Sequence, residues 1–211
     1  MTIDAFGSGS GTDRKPERKT VLGLLFITLL TSCVATPPTN LYMISGLSDD
    51  VQGETRGKSK VMVGVGPVTL PAYLDRPQIV TRTTPNKLAV AEFDRWAEPL
   101  EKLIQRVLSE NLSVLLNSDT VFTLPRRRLS EVDIQVEVEV FRFDRAPDGV
   151  VELTARWSVY TRGGKKLAAA RKSTIREPAA VQTDYETIAI AMSRVMERLS
   201  HEIAAELRPL T

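Results

Sequence analysis

Cys33 is the only cysteine of this 211-residue chain, and its surroundings predict that its thiol becomes lipid-modified. Residues 30–33 read Leu-Thr-Ser-Cys, so small side chains stand directly before the thiol, where a signal peptidase needs access to the backbone. Residues 14–19 carry four basic side chains, and residues 21–30 form a short apolar run. This order is typical of a lipoprotein signal. The sequence therefore predicts a signal peptide over residues 1–32, with diacylglycerol and an N-acyl chain such as palmitate on Cys33.

Two other interpretations of this segment are a transmembrane anchor and a buried structural cysteine. Spanning a bilayer takes about 20 predominantly apolar residues, whereas Thr28, Thr31 and the pair Pro37-Pro38 interrupt the apolar run too early. A core cysteine would lie inside a patterned strand or helix, whereas Cys33 lies where the apolar run ends. We therefore expect residues 33–40 to be the lipidated cysteine and a tether, and residues 41–211 to be one domain.

The charge balance of the mature chain argues against nucleic acid as a partner. Without the leader, 24 basic side chains face 23 acidic ones, and residues 126–128 form the only basic run. A surface that follows phosphates needs clustered excess Lys and Arg, and no aromatic residues interleave this run. A single cysteine also excludes an internal disulfide, so stability must come from the core.

Other residue types that could do chemistry predict no enzyme, metal site or cofactor. His201 is the only histidine and stands beside Glu202 on a predicted helix surface, without a nucleophile signature or metal-ligand spacing. Residues 64–66 read Gly-Val-Gly but lack the further glycine and the following helix of a phosphate cradle. Four carboxylates that could do acid/base chemistry alternate along one predicted strand, as expected for its solvated face: Glu131, Asp133, Glu137 and Glu139.

Hydrophobic periodicity predicts the elements that must position these residues. Apolar residues alternate with polar ones in several segments, which indicates strands, and recur every three or four residues in two segments, which indicates helices. The predicted strands are residues 41–44, 60–69, 78–82, 87–92, 131–145, 151–160 and 165–176, and the predicted helices are residues 94–118 and 184–207. Because one-sided helices and strands bury their apolar faces against each other, we predict a single α+β domain, an antiparallel sheet with two long amphipathic helices packed on one face.

Residues 71–77 are the best candidate for a partner contact outside the signal. Tyr73 and Leu74 lie between prolines, with no strand or helix face to join, and Arg76 follows them. An exposed apolar loop is a candidate contact surface. Trp96 could also bind a partner, although its spacing with Leu100 favours the core. The predicted partner-binding residues are therefore Tyr73, Leu74, Arg76 and Trp96.

Several segments together resemble the ABC-type transport auxiliary lipoprotein family, and the resemblance covers essentially the whole mature chain. They are residues 68–74 (Val-Thr-Leu-Pro-Ala-Tyr-Leu), 94–100 (Asp-Arg-Trp-Ala-Glu-Pro-Leu), 111–113 (Asn-Leu-Ser), 141–144 (Phe-Arg-Phe-Asp) and 184–185 (Asp-Tyr). The resemblance implies a membrane-anchored, periplasm-facing, non-enzymatic lipoprotein of the Gram-negative cell envelope. It would dock components of an ABC-type or mammalian-cell-entry (MCE) domain system that moves lipids between two membranes.

The resemblance also implies a homo-oligomeric ring and an outer-membrane location. Val34 follows the predicted lipidated cysteine, where aspartate would retain an enteric lipoprotein in the inner membrane. The alternative from another functional class is a periplasmic carrier lipoprotein that holds an acyl chain between helices and sheet. A carrier would need a pocket of about several hundred Å3 lined by Leu, Val and Met side chains.

Overall fold

The computed structural model describes residues 37–47, 61–125, 132–162, 164–179 and 184–211. The predicted lipidation site Cys33 and its signal lie outside these ranges, as do the basic run at 126–128 and Glu131. Contacts divide the chain after residue 37, and residues 38–211 form one compact unit. Within the described ranges, no helix combines the length and the apolar character needed to cross a membrane.

Eight strands and two long helices build this unit, with boundaries that follow the hydrophobic pattern. In chain order they are β1 (Asn40–Tyr42), β2 (Val63–Thr69), β3 (Gln78–Thr84), β4 (Lys87–Trp96), α1 (Leu100–Leu115), β5 (Val121–Thr123), β6 (Ile134–Arg145), β7 (Val150–Thr161), β8 (Lys166–Pro178) and α2 (Tyr185–Leu207). The α1 helix begins after Pro99, whose ring is tolerated only at the first turn. The α2 helix begins after the N-cap Asp184, which accepts hydrogen bonds from the backbone N–H groups of Glu186 and Thr187.

All eight strands belong to one mixed sheet that curls into a half-barrel. Hydrogen bonds order six strands as β1-β4-β3-β6-β2-β5, while β7 pairs with β6 and β8 pairs with β7. The β3–β4, β6–β7 and β7–β8 pairs are antiparallel. The β1–β4, β2–β5, β2–β6 and β3–β6 pairs are parallel.

The predicted fold class, an antiparallel sheet with two long helices packed on one face, is wrong. The described residues are mostly sheet, with 44% in strands, and four of the strand pairs are parallel. Alternation reports which side chains of a strand are buried, but it does not report which strand lies beside it or in which direction. The predicted helix at 94–118 also began too early, because residues up to Trp96 continue β4.

The core lies where the two helices pack against different strands of the sheet and against each other. The α1 helix packs on β2 and β5, whereas α2 packs on β7 and β8 and against α1. The interface is filled by large side chains that are at most 2% exposed, including Leu103, Leu108, Val136, Phe143, Met192 and Met196. One polar contact joins the helices, where the buried Asn111 Nδ2 donates to Ser200 Oγ at 3.0 Å. Burial of this kind contributes about 1.5–3 kcal/mol per large apolar side chain, so packing holds the helices in place.

Candidate functional site

The proline-bounded segment at residues 71–77 is a tightly hydrogen-bonded turn between β2 and β3. Leu74 N donates to Pro71 O at 2.9 Å, and Arg76 N donates to Leu74 O at 2.9 Å. Leu74 is only 3% exposed and packs in the core, so the expectation of an exposed apolar loop is wrong for this side chain. Tyr73 is half-buried, whereas Arg76 is exposed. Of these side chains, Arg76 is therefore the one that faces solvent.

The buried carboxylate of Asp144, near the end of β6, fixes this turn to the sheet. Its side chain is fully buried and accepts four hydrogen bonds. Tyr73 Oη donates to Oδ2 at 2.9 Å, and Arg82 of β3 donates Nη2 to Oδ2 at 3.0 Å and Nε to Oδ1 at 3.3 Å. Arg142 Nε donates to Oδ1 at 3.1 Å. Each carboxylate oxygen has two donors, which satisfies a buried charge that would otherwise be costly.

Alternating charges extend this cluster across three strands towards solvent. Arg142 Nη1 donates to Glu152 Oε1 on β7 at 2.8 Å, and Arg176 Nε on β8 lies 3.5 Å from Glu152 Oε2. Arg176 also pairs with Asp148 in the β6–β7 turn. Exposure rises from 0% at the Asp144 side chain to 51% at Arg176. This arrangement can hold the 71–77 turn rigidly on the sheet. Each charged side chain named in it forms an ion pair with a side chain of opposite charge.

Tyr73 donates from a neutral hydroxyl at physiological pH. Burial first, and then the charge and hydrogen bond of Asp144, raise the pKa of Tyr73 to about 12. The hydrogen bonds that Arg82 itself donates to Asp144 raise the pKa of the Arg82 guanidinium. The Arg82 guanidinium also lies 5.9 Å from the centroid of the Tyr73 ring. Tyr73 is therefore neutral and Arg82 is charged throughout the physiological pH range.

We predict that Tyr73→Phe flattens the alkaline limb of the stability profile. The folded pKa of about 12 lies above the ordinary value of 10, so between these values the native state holds a proton that the unfolded state has lost. Stability must fall as pH rises through this window. Urea midpoints measured at pH 8 and at pH 11 should differ less for Tyr73→Phe than for the wild type. An unchanged difference between the two midpoints in Tyr73→Phe would contradict the prediction.

Sequence reasoning missed Asp144 as the centre of this cluster. Buried and more exposed side chains alternate in β6 from Val136 to Val140, and the register with β7 shifts between Val140 and Arg142. Beyond this irregularity Phe143, Asp144 and Arg145 are all buried, so the alternation rule fails there. The available signal was an acidic residue flanked by Arg142 and Arg145 at a strand end, which predicts paired charges but not their burial.

The other predicted site residues lie elsewhere or outside the described ranges. Trp96 ends β4 and is 5% exposed, which places it in the core, and its backbone N donates to Pro77 O at 2.7 Å. Thus Trp96 touches the end of the turn through its main chain. Cys33 lies outside the described residues. Partner binding by any of these residues stays a prediction.

The residues weighed for catalysis or metal binding are dispersed. His201 is exposed on α2, and Glu139 forms a solvent-exposed ion pair with Arg156 at 3.1 Å. Asp133 accepts from the backbone N–H of Met62 at 2.8 Å. In the part of the chain that the structure describes, no three His, Cys, Asp or Glu side chains come together in a way that could hold a metal ion.

Comparisons with known proteins place the chain among envelope lipoproteins. The family model of the ABC-type transport auxiliary lipoprotein component matches residues 44–204. The intermembrane transport lipoprotein PqiC of Escherichia coli (strain K12) is 25% identical over 171 residues, which cover 81% of this chain and 87% of the relative. PqiC of Shigella flexneri matches with the same identity and coverage.

Two solved structures share the fold. A crystal structure of an uncharacterized protein superposes with a TM-score of 0.66 at 21% identity, covering 81% of this chain and 99% of that one. The crystal structure of a protein from Xanthomonas campestris gives a TM-score of 0.63 at 17% identity, covering 82% of this chain and all of that one. At these identities the likeness concerns the fold alone.

Proposed function

The chain belongs to the ABC-type transport auxiliary lipoprotein family, and from this premise we propose that it is a non-enzymatic docking component of an intermembrane lipid transport system. In this proposal Cys33 carries the lipid that anchors the domain, and the 71–77 turn contacts an MCE-domain protein or an ABC transporter component. The domain itself contributes a rigid surface and performs no reaction.

The observation that carries this proposal is the meeting of two family-like segments at one buried carboxylate. Tyr73 comes from the segment 68–74 and Asp144 from the segment 141–144, and their side chains are hydrogen-bonded at 2.9 Å. A buried, fully satisfied charge network holds its members in a defined geometry. An apolar core of similar volume is often at least as stable as a buried charge network, so stability alone does not account for this one. Its fixed geometry supports a role in presenting the adjoining turn to a partner.

The family also supports a location in the cell envelope, because its members are auxiliary lipoproteins. We propose the outer membrane, facing the periplasm, since Val34 rather than aspartate follows the predicted lipidated residue. The curated relative from Escherichia coli is an intermembrane transport lipoprotein, which favours a lipid transport system as the setting. We further propose that copies of the domain form a ring around the transported path.

We predict that Arg76→Glu lowers recovery of the transport partner by roughly tenfold or more, as expected for an interface hot spot. Arg76 is exposed on the rigid turn, so the substitution reverses one charge without disturbing the core. Cross-linking in native envelopes, followed by identification of MCE-domain or ABC transporter components, measures the effect. Arg208→Glu, an exposed arginine beyond α2, is the matched control. Equal recovery from both variants would remove the 71–77 turn from the docking surface.

The carrier function has less support from the described residues. Its acyl chain would lie between the helices and the sheet, where side chains such as Leu108 and Met196 are fully buried and in contact. Native mass spectrometry of protein prepared without detergent separates the two functions. A monomer that retains phospholipid would favour the carrier, and a lipid-free ring would favour the docking component.

A further inference from the structure

An open groove of about 720 Å3 lies between β1 and the first turns of α2, away from the Asp144 cluster. Its apolar lining comes from Leu41 and Met43 on one wall and Ile190 on the other. These side chains are 65%, 49% and 48% exposed, respectively. Three large apolar side chains that line one groove form a patch of the kind that marks an interaction site.

The walls of this groove are fixed by hydrogen bonds and packing. Ser45 N donates to Ser193 Oγ at 3.0 Å, which ties the chain after β1 to α2. Ile44, between the exposed Met43 and Ser45, is 1% exposed and anchors this segment in the core. On the other side of β1, Tyr42 packs against Tyr185 with ring centroids 6.4 Å apart. The exposed apolar side chains are therefore presented by a rigid frame.

The length of chain before the groove limits what can reach it. Leu41 lies eight positions after Cys33, and an extended chain spans at most about 3.6 Å per residue, so the Cα atoms of these two residues are at most roughly 29 Å apart. If Cys33 carries the lipid, as the proposed function requires, the anchor holds the groove next to the membrane. A short tether of this kind gives an effective concentration of about millimolar, which makes even a weak surface contact effective.

We propose that this groove docks on the bilayer surface, with Leu41, Met43 and Ile190 inserted at the boundary between headgroups and acyl chains. The inference rests on the proposed lipid anchorage and adds an orientation: the domain lies with this face on the membrane. The charged side chain in the lining is Glu186, which would repel an anionic surface. The groove therefore fits a zwitterionic lipid surface, and its contact should be insensitive to salt because the three inserted side chains are apolar.

The test uses the mature acylated protein reconstituted in vesicles of phosphatidylethanolamine and phosphatidylcholine. An environment-sensitive nitrobenzoxadiazole probe is attached at Ser45→Cys in the groove or at Lys166→Cys, on strand β8, which does not line the groove. Cys33, the only native cysteine, is blocked by its lipid and takes no probe. On incorporation the Ser45 probe should shift to shorter wavelength and be quenched by brominated acyl chains, whereas the Lys166 probe should stay water-like.

Leu41→Ser combined with Met43→Ser should weaken docking by roughly tenfold for each side chain removed. Because both side chains are exposed, the urea midpoint of this variant should match the wild type, which separates lost docking from lost folding. A matched variant, Val90→Ser with Leu167→Ser, removes exposed apolar side chains elsewhere and should leave the probe signal unchanged.

The same samples distinguish a groove that does not contact the bilayer from a protein that is not anchored by lipid. Protein that floats with the vesicles but keeps a water-like Ser45 probe would overturn the groove contact and leave the anchorage intact. Protein that does not float would overturn both. A Ser45 probe that is already shielded from water before vesicles are added would indicate that another segment of the chain occupies the groove. A wavelength shift that depends on the density of protein in the vesicles would indicate that a second copy of the chain occupies the groove. Either result would overturn the proposal.

Discussion

Asp144→Ala should lower the free energy of unfolding by about 3–5 kcal/mol, the usual effect of removing one partner from a buried charge network. The carboxylate is fully buried, whereas its partners Arg82 and Arg142 are 19% and 24% exposed. Its removal takes the acceptor from the Tyr73 hydroxyl, from Nε and Nη2 of Arg82 and from Nε of Arg142. Equilibrium urea unfolding at neutral pH, with the slope held equal between variants, measures the loss.

Glu139→Ala provides the matched control for Asp144, because it removes a carboxylate from the same strand. Glu139 pairs with Arg156, and both side chains are at least half exposed. An exposed pair of this kind contributes about 0–1 kcal/mol. Asp144→Asn should give an intermediate loss, since the amide keeps one acceptor oxygen but not the charge. Equal effects of Asp144→Ala and Glu139→Ala would show that the cluster does not hold the sheet and turn together.

Cys33→Ser should abolish incorporation of labelled palmitate and release the protein from the envelope fraction. The chain has one thiol, so the variant has no sulfur on which a lipoprotein thioether can form. Each buried methylene contributes about 0.8 kcal/mol to membrane anchoring, and stable attachment takes more than one acyl chain. Loss of the lipid should therefore shift the protein from the membrane pellet to the soluble or unprocessed fraction.

Ser32→Ala is the control for Cys33, because alanine keeps a small side chain before the cleavage position. This variant should still incorporate palmitate and sediment with envelopes. Envelope sedimentation and normal transport activity of Cys33→Ser would contradict the lipid anchor. Sucrose-gradient separation of the two membranes, applied to the wild type and to Val34→Asp, tests the proposed outer-membrane location independently.

Local patterns predicted the elements that depend on neighbouring residues. The helix predicted over residues 184–207 is confirmed, and its N-cap Asp184 accepts hydrogen bonds from the backbone N–H groups of Glu186 and Thr187. The strands predicted at residues 131–145 and 151–160 are confirmed as β6 and β7, which pair antiparallel. The spacing that favoured the core for Trp96 agrees with its 5% exposure. Capping, turns and apolar periodicity involve residues a few positions apart, and a single sequence records them directly.

Strand direction could not be predicted in the same way. The β2 strand runs parallel to both β5 and β6, although β3, β4 and α1 intervene along the chain. Parallel neighbours need a long crossover, whereas alternation within β2 is the same for either direction. This is why the prediction of an antiparallel sheet failed, although the predicted strand ranges overlap each long strand that the structure shows.

The sequence by itself therefore determined the single cysteine, the near-neutral charge balance and most of the local elements. Only the tertiary structure decided that Leu74 is buried and that Asp144 accepts from Tyr73, 71 positions away, and from Arg82, 62 positions away. It also decided which apolar side chains stay exposed around the groove at Leu41. The physical reason is that burial and charge pairing depend on which distant segments the sheet brings together, and side-chain periodicity carries no information about that choice.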